Sequence, residues 1–550
     1  MISFRPKLFT LLKNYTFNQF TKDVTAGIIV AIIALPLSIA LAIASGVTPE
    51  KGLHTAIIAG FLISFFGGSR VQIGGPTGAF MVIVYGIIMK FGLEGLILST
   101  FMAGLMMILF GLLKLGNMIK FIPYPITTGF TSGIAVTIFS SQVKDFLGLN
   151  TADLPAEFLE KWDILINSIN TIDFTTTIIG LVALFTIIFW PKVNKKIPGA
   201  LVALIATSLI VYFLKLDVAT IGSKFGVLSS SLPKFSLPVI TMDKVILLLG
   251  PAFTIAMLGS IESLLSAVVA DGMIGAKHRS NTELIAQGIA NIGSSLFGGI
   301  PATGAIARTA ANVKNGGRTP VAGIVHAITL LLIMMLFMPL AKVIPLSALS
   351  AVLIIVAYNM SDWREFRELL KSPKSDVAVL LATFLITVLI DLVKAIEIGL
   401  ILSSFLFMKR MADVSSVNLA SMDASEERDE TDYDFIDNKF KIASGIEIYE
   451  INGPFFFGAA DKFIEATVDF AEKTEVLIIR MRNVPSMDAT ATHAFKRLIR
   501  TCKSKKIKLL ISEVQTQPKS VLEKSNLDVL IGKDNFFTDI NSSIEYANNL

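Results

Sequence analysis

Two stretches decide the fold: GGPTGAFMVIVYG at residues 74–86 and GGIPATGAIARTAANVKNGG at residues 298–317. Each is apolar, interrupted by glycine and proline, and too short to cross a hydrocarbon core of about 30 Å. They share an internal match, Pro76-Thr77-Gly78-Ala79 against Pro301-Ala302-Thr303-Gly304-Ala305. Short broken segments at corresponding places in two halves of a hydrophobic chain point to half-helices that meet near the middle of a bilayer, with a ligand site between them.

The rest of the chain has the composition this requires. Of 550 residues, 53% are hydrophobic and 17% charged, and the mean hydropathy is +0.68. Soluble domains carry roughly 25% charged residues. The net charge of +5 is spread over short loops with no aromatic-interleaved basic stripe, which argues against nucleic-acid binding. The lone Cys502 excludes an internal disulfide and a cysteine zinc cage, and His54, His278, His326 and His493 are too widely spaced for a local metal motif. No metal site and no cofactor are expected. The first apolar run ends in Ala42-Ile43-Ala44, which resembles a cleavage site, yet the run is too long for a signal peptide and contains Pro36. It reads as an uncleaved first span.

Dividing the apolar part at turn signals predicts fourteen segments: 24–46, 53–67, 78–90, 93–113, 125–147, 176–190, 197–214, 245–271, 281–298, 303–314, 320–342, 345–358, 376–391 and 395–411. Seven per half is odd, so the second half enters the membrane with opposite polarity, the arithmetic of a seven-plus-seven inverted repeat. With the N-terminus inside, the inward loops carry Arg70, Lys114, Lys120, Lys192, Lys195, Lys196, Lys277, Arg279, Lys314 and Arg318, among others. The largest outward loop, 150–173, holds Asp153, Glu157, Glu160 and Asp163. This places both termini in the cytoplasm and the protein in the plasma (inner) membrane, multi-pass.

At Met411 the composition breaks. DASEERDETDYD, from Asp423, is too charged to build a core. Beyond it, IEIYEI near Ile446, VLIIRM near Val476 and IKLLISEV near Ile507 read as strands, with helices at 459–473 and 489–504 between them. That alternation is an α/β domain with a covered sheet. The domains expected are a cytoplasmic segment 1–23, a transmembrane transport domain 24–411, an acidic linker 412–438 and a cytoplasmic domain 439–550.

The motifs VTAGIIVAIIALPLSIALAIASGV from Val24, GGSRVQIGGPTGAF from Gly67, FIPYPITTGFTSGIAV from Phe121, ESLLSAVVADGM from Glu262 and PATGAIARTAANVKNGGRTPVAG from Pro301 resemble the sulfate permease family of anion transporters, known in animals as solute carrier family 26. The tail resembles the STAS domain of sulfate transporters and anti-sigma-factor antagonists. The resemblance implies a core and a gate within the membrane fold, a homodimer, and a cation-coupling pair at Glu262 and Ser266. It also marks VPSMDATATHAF, from Val484, as the regulatory loop. There antagonist relatives carry a phosphorylated serine after the aspartate, and here Asp488 is followed by Ala489 and then Thr490. The tail is expected to bind a cytoplasmic protein.

The chemistry expected at the broken segments is an anion cradle. The first N–H groups of a half-helix lack intrahelical partners and sit at a positive dipole end. Gly74, Gly75 and Gly78 on one side, and Gly298, Gly299 and Gly304 on the other, let an oxyanion approach that backbone, with Ala79 and Ala305 counted in the same site, while Thr77 and Thr303 offer hydroxyls. Arg308, four residues past Gly304, lies one turn into the second half-helix. An unpaired cation there costs at least about 2.5 kcal/mol, so it is expected to face the cavity and counter an anion. Glu262, with Ser266 one turn on, can hold sodium as a carboxylate or carry a proton if it titrates. The function expected is secondary active anion transport without enzymatic catalysis, sulfate first and bicarbonate second, coupled to Na+ or H+ or working by exchange. A dicarboxylate transporter, an anion channel and an anion-sensing signalling protein remain as alternatives.

Overall fold

The computed structural model describes residues 4–117, 123–151, 154–194, 197–226, 228–390, 392–414, 416–419, 442–456, 458, 460, 463–464 and 474–550. Lys120, Asp153, Lys195, Lys196, Asp391, the acidic stretch from Asp423 and nearly all of the helix expected at 459–473 lie outside the described residues.

Helix follows helix as the hydropathy demands. Helix α1 spans Phe17–Ala44 and α2 Pro49–Phe66, and a two-residue strand, β1, Gly74–Gly75, leads into α3, Gly78–Leu112. Helix α3 is two helices joined at Gly92, whose φ of 68° and ψ of −175° are open to glycine and leave the helical region. The first piece is the short segment expected at 78–90. Then come α4 Tyr124–Leu147, α5 Phe158–Asn167, α6 Phe174–Val193, α7 Gly199–Leu214 and the short α8 Ile221–Phe225. The second half begins with α9 Met242–Ile274 and α10 Ser280–Leu296, followed by strand β2 Thr303–Gly304 and α11 Ile306–Lys314. It closes with α12 Val321–Phe337, α13 Leu346–Met360, α14 Lys374–Leu389 and α15 Leu392–Val414. Counting α3 as two, each of the fourteen expected segments has its helix. Among the described residues, six helices are long and apolar enough to cross a membrane alone.

One boundary moves. The segment expected at 303–314 begins as a helix only at Ile306, because Thr303 and Gly304 are extended and paired with the first lead-in: β1 and β2 run antiparallel, Gly74 opposite Gly304 and Gly75 opposite Thr303. Arg308 is therefore the third helical residue and not a full turn in.

The helices pack as two sets that draw on the same positions of each half. Helix α3 packs on α9 and α10, α1 and α2 on α12, and α2 on α10, while α4 packs on α13 and α14 and α6 on α7 and α13. Spans one to four and eight to eleven form one set, and five to seven and twelve to fourteen the other. This is the core-and-gate division of an inverted repeat.

The chain divides into compact units between Leu400 and Ile401, inside α15, where the sequence had drawn the boundary at Met411. The last turns of α15 expose Ile401, Phe405 and Phe407.

The second unit is built on a sheet ordered β3 (Ser416–Leu419), β4 (Ile446–Asn452), β5 (Val476–Asn483), β6 (Lys508–Ser512) and β7 (Phe536–Phe537), antiparallel at the first pair and parallel thereafter. Leu477, Ile479 and Met481 face one apolar cluster with α16, Ala489–Lys505, while Val476 and Ile478 face another with α17, Ile540–Asn548. Both faces are covered, which is why the strands read as unbroken apolar runs. Strands β3 and β7 were not foreseen.

Candidate functional site

Irregular backbone at the depth of a bilayer survives only if protein groups satisfy it. In the first lead-in, residues 67–77, the Glu283 carboxylate accepts from Gly68 N at 2.8 Å and Ser69 N at 2.9 Å. Asn312 donates to the Val71 carbonyl at 2.8 Å, and the Thr309 hydroxyl accepts from Ile73 N at 3.0 Å. In the second lead-in, Asn291 brackets Ala302, donating to its carbonyl at 2.8 Å and accepting from its N–H at 2.9 Å. Thr55 accepts from Ile300 N at 2.7 Å. Across the strand pair, Ala305 N donates to the Ile73 carbonyl at 2.9 Å.

With the lead-ins tied down, the two half-helices start a few residues from the same β pair, and no side chain caps either. Their first N–H groups are left without intrahelical partners. Gly75, Thr77, Gly78, Ala79, Thr303, Gly304, Ala305 and Arg308 are all buried there. The structure thus brings together every residue named from the sequence for the anion.

Their detailed roles differ from the expectation. The Thr77 hydroxyl donates to the Glu262 carboxylate at 2.9 Å and that of Thr303 to the Gly259 carbonyl at 2.8 Å, so both are engaged by protein. The glycines are also closely packed. A Cβ at Gly304 would lie 1.4 Å from the Gln72 amide nitrogen, at Gly74 2.1 Å from Ile63, and at Gly75, whose φ is +150°, 2.4 Å from an Arg308 nitrogen. Close approach of protein groups, not of a ligand alone, sets these positions.

Arg308 is 1% exposed and its Nη2 donates to the Pro76 carbonyl, tying the second half-helix to the entry of the first. Its Nε and Nη1 have no protein acceptor among the described residues. Glu262, on α9, lies within electrostatic reach of it. Ser266 does not join Glu262: it is fully buried and donates to the Thr309 hydroxyl at 3.4 Å, so the hydroxyl beside the carboxylate comes from Thr77 across the repeat. Toward the gate set, a Cβ on Gly78 would meet Ile138 and Met360 at 3.0 Å, which puts the first half-helix against the opposing layer.

Six polar residues escaped the sequence reading: Gln72, Glu283, Asn291, Thr309, Asn312 and His326. Glu283, Gln287 and Asn291 recur at spacings of four, a polar stripe on one face of an intramembrane helix, and that signal could have found them. His326 is fully buried with neither ring nitrogen bonded among the described residues, and a Cβ at Gly60 would lie 3.1 Å from the Gly74 carbonyl oxygen and 3.7 Å from the His326 ring.

In the tail, Asp488 caps α16 by accepting from Ala491 N at 2.8 Å, and Ala489 and Thr490 are exposed beside it.

Residues 20–383 match the sequence profile of the sulfate permease family, and residues 439–543 that of the STAS domain. The chain is a member of the sulfate permease family. It is similar to the putative sulfate transporter YvdB of Bacillus subtilis (strain 168), 43% identical over 528 residues, which cover 96% of this chain and 97% of that one. The bicarbonate transporter BicA of Picosynechococcus is 30% identical over 525 residues, 93% and 92% of the two chains. The solved transmembrane domain of a cyanobacterial BicA covers 69% of this chain and 98% of its own, with 34% identity and a TM-score of 0.63. The inward-facing structure of the murine Solute Carrier 26 family member A9 matches in fold, with a TM-score of 0.88 at 17% identity over 100% of this chain and 94% of that one. The protein is a multi-pass membrane transporter with a STAS tail.

Proposed function

We propose that the protein is a secondary active transporter of small inorganic oxyanions, sulfate first, working by alternating access of the core set against the gate set. The observation that carries this is Arg308: a fully buried guanidinium at two uncapped half-helix starts, with two nitrogens free of protein acceptors among the described residues. The free N–H groups supply directed donors, the dipole ends favour negative charge, and Arg308 supplies a full charge. Together they suit a compact oxyanion. Gly75, Thr77, Gly78, Ala79, Thr303, Gly304 and Ala305 shape the cradle, Thr77 acting through Glu262.

The coupling cation, Na+ or H+, is assigned to Glu262 with Thr77, and Ser266 takes a supporting place behind it. Bicarbonate is the second reading, favoured by the likeness to the BicA transporters along nearly the whole chain. We assign the protein to the plasma membrane as a homodimer with cytoplasmic termini. The Asp488–Thr490 surface of the tail is assigned to docking of a cytoplasmic protein.

The test is uptake of labelled sulfate, bicarbonate, chloride and a dicarboxylate into proteoliposomes, with and without a sodium gradient and a proton gradient. Accumulation of sulfate above equilibrium under one gradient supports the reading. Movement of every anion only to equilibrium, insensitive to both gradients, would sink it in favour of a channel.

A further inference from the structure

Away from the half-helix starts, a cavity of about 280 Å³ opens between the two helix sets. Met81, Val82 and Tyr85 of the first half-helix form one wall, and Ser141 and Gln142 of α4 and Ser350 of α13 another. Met81, in its lining, is one helical turn from Gly78. Leu154, Ala156 and Lys161, after α4, also line it. The Tyr85 hydroxyl donates to the Leu154 carbonyl at 2.5 Å, and Trp162 on α5 donates to Ser140 at 3.0 Å. Beneath, Leu149, Leu154 and Leu165 are buried together, so α5 is fixed by its own small core.

Helix α5 turns Lys161 into this cavity. The residue is 4% exposed, and no carboxylate or carbonyl accepts from its ammonium among the described residues. Glu157, one turn earlier on the same helix, is the carboxylate that acts on it through space, and burial holds the ammonium below its ordinary range. Lys224 lines the rim. Lys144 also lines the space but donates to the Thr151 carbonyl at 2.9 Å, and Asp145 adds one negative charge. A cation largely taken out of water and balanced only through space by Glu157 is costly, and a small cavity before it is where an anion restores the balance.

We propose that this cavity is a second anion-binding site, an entry vestibule in which Lys161, helped by Lys224, holds a small inorganic oxyanion before it reaches the half-helices. The proposal rests on the transport reading and adds a place where the substrate waits. The vestibule raises the local anion concentration on one face of the membrane, so its loss changes half-saturation from that face and leaves the maximal rate alone.

The experiment measures initial rates of labelled sulfate and bicarbonate transport in oriented vesicles, with anion offered from either face. Lys161→Gln is expected to raise half-saturation about fivefold from the face bearing residues 148–173, with an unchanged maximal rate and no change from the other face. Lys161→Arg is expected to restore the wild-type value, and Lys224→Gln to give a shift of about twofold. Unchanged half-saturation in Lys161→Gln, or an equal rise from both faces, would overturn the vestibule while leaving the transport reading intact. If the wild-type protein moves neither anion, the transport reading fails, and a sulfate titration followed by thermal shift decides the vestibule separately. In an Arg308→Ala background the remaining sulfate-dependent stabilisation should vanish on adding Lys161→Gln. Its persistence in the double variant would refute the site, and loss of folding in Lys161→Gln is controlled by Lys161→Arg.

Discussion

The two half-helices are related by the same motif but divide the chemistry unequally. The first begins after a threonine whose hydroxyl is spent on Glu262, and its first turn carries no charge. The second begins after an alanine and places Arg308 in its first turn, where the guanidinium reaches back to Pro76 of the first. The two charges at the half-helix starts, the buried Arg308 and the half-buried Glu262, come from the second repeat, and both lean on the Pro-Thr-Gly of the first. The repeat supplies a common scaffold, and the side chains that select charge are where the two halves differ in chemistry. In the aligned motif the place of Arg308 is taken in the first half by Val82, which lines the apolar wall of the neighbouring cavity.

The largest effect should come from removing the charged member of the unequal pair. Arg308→Ala is expected to weaken sulfate binding by roughly a hundredfold or more, since a charge-assisted, desolvated contact contributes on the order of 3 kcal/mol. Titration of the folded variant by calorimetry checks this, and affinity within a fewfold of wild type would mean that the two dipole ends suffice. Next comes the carboxylate. Glu262→Gln keeps shape and can still accept from Thr77 but loses its titratable charge. Exchange down a gradient should persist while accumulation driven by sodium or protons disappears. Accumulation to the wild-type level in the glutamine variant would make Glu262 structural.

A third comparison concerns the glycines. At Gly304 an added methyl falls on the Gln72 amide, which is held by hydrogen bonds to the carbonyl and hydroxyl of Ser263 at 3.1 and 3.0 Å. At Gly78 it meets only the ends of Ile138 and Met360 at 3.0 Å. Gly304→Ala is therefore expected to destabilise by about 2–3 kcal/mol and Gly78→Ala by less than about 1 kcal/mol. Thermal unfolding in detergent reads the difference, and Gln72→Ala should recover part of the loss at Gly304 but none at Gly78. Equal costs would show that the two half-helices are packed alike after all.

These contrasts mark what was legible in the sequence. The fourteen segments were readable because a bilayer demands long apolar runs, and glycine and proline expose where those runs break. The β1–β2 pairing was not, since two residues carry no periodicity and their partners lie more than two hundred positions apart. For the same reason the sequence, by helical spacing and by the family resemblance, paired Glu262 with Ser266. Spacing says that two residues share a face but not that Thr77, far along the chain, stands closer. In the tail, the three buried strands β4, β5 and β6 announced themselves as apolar runs, whereas β7, only Phe536–Phe537, is too short to register.

The smallest effects test the two threonines against each other. Thr77→Val removes the hydroxyl that donates to Glu262, leaving a half-buried carboxylate without that partner, whereas Thr303→Val leaves the Gly259 carbonyl without its added donor. Valine is nearly the same size as threonine, so each change is chiefly the loss of one hydrogen bond, about 1 kcal/mol in stability by the usual scale. Stability should therefore fall by similar amounts in the two variants. Function should not: loss of the Thr77 contact alters the group assigned to cation coupling, so the cation concentration giving half-maximal uptake should shift about three- to fivefold in Thr77→Val and stay put in Thr303→Val. Uptake measured against sodium at fixed pH and against pH without sodium reads the shift directly. Matching shifts in both variants would mean that the two half-helices share the coupling role and that the inequality between them ends at Arg308.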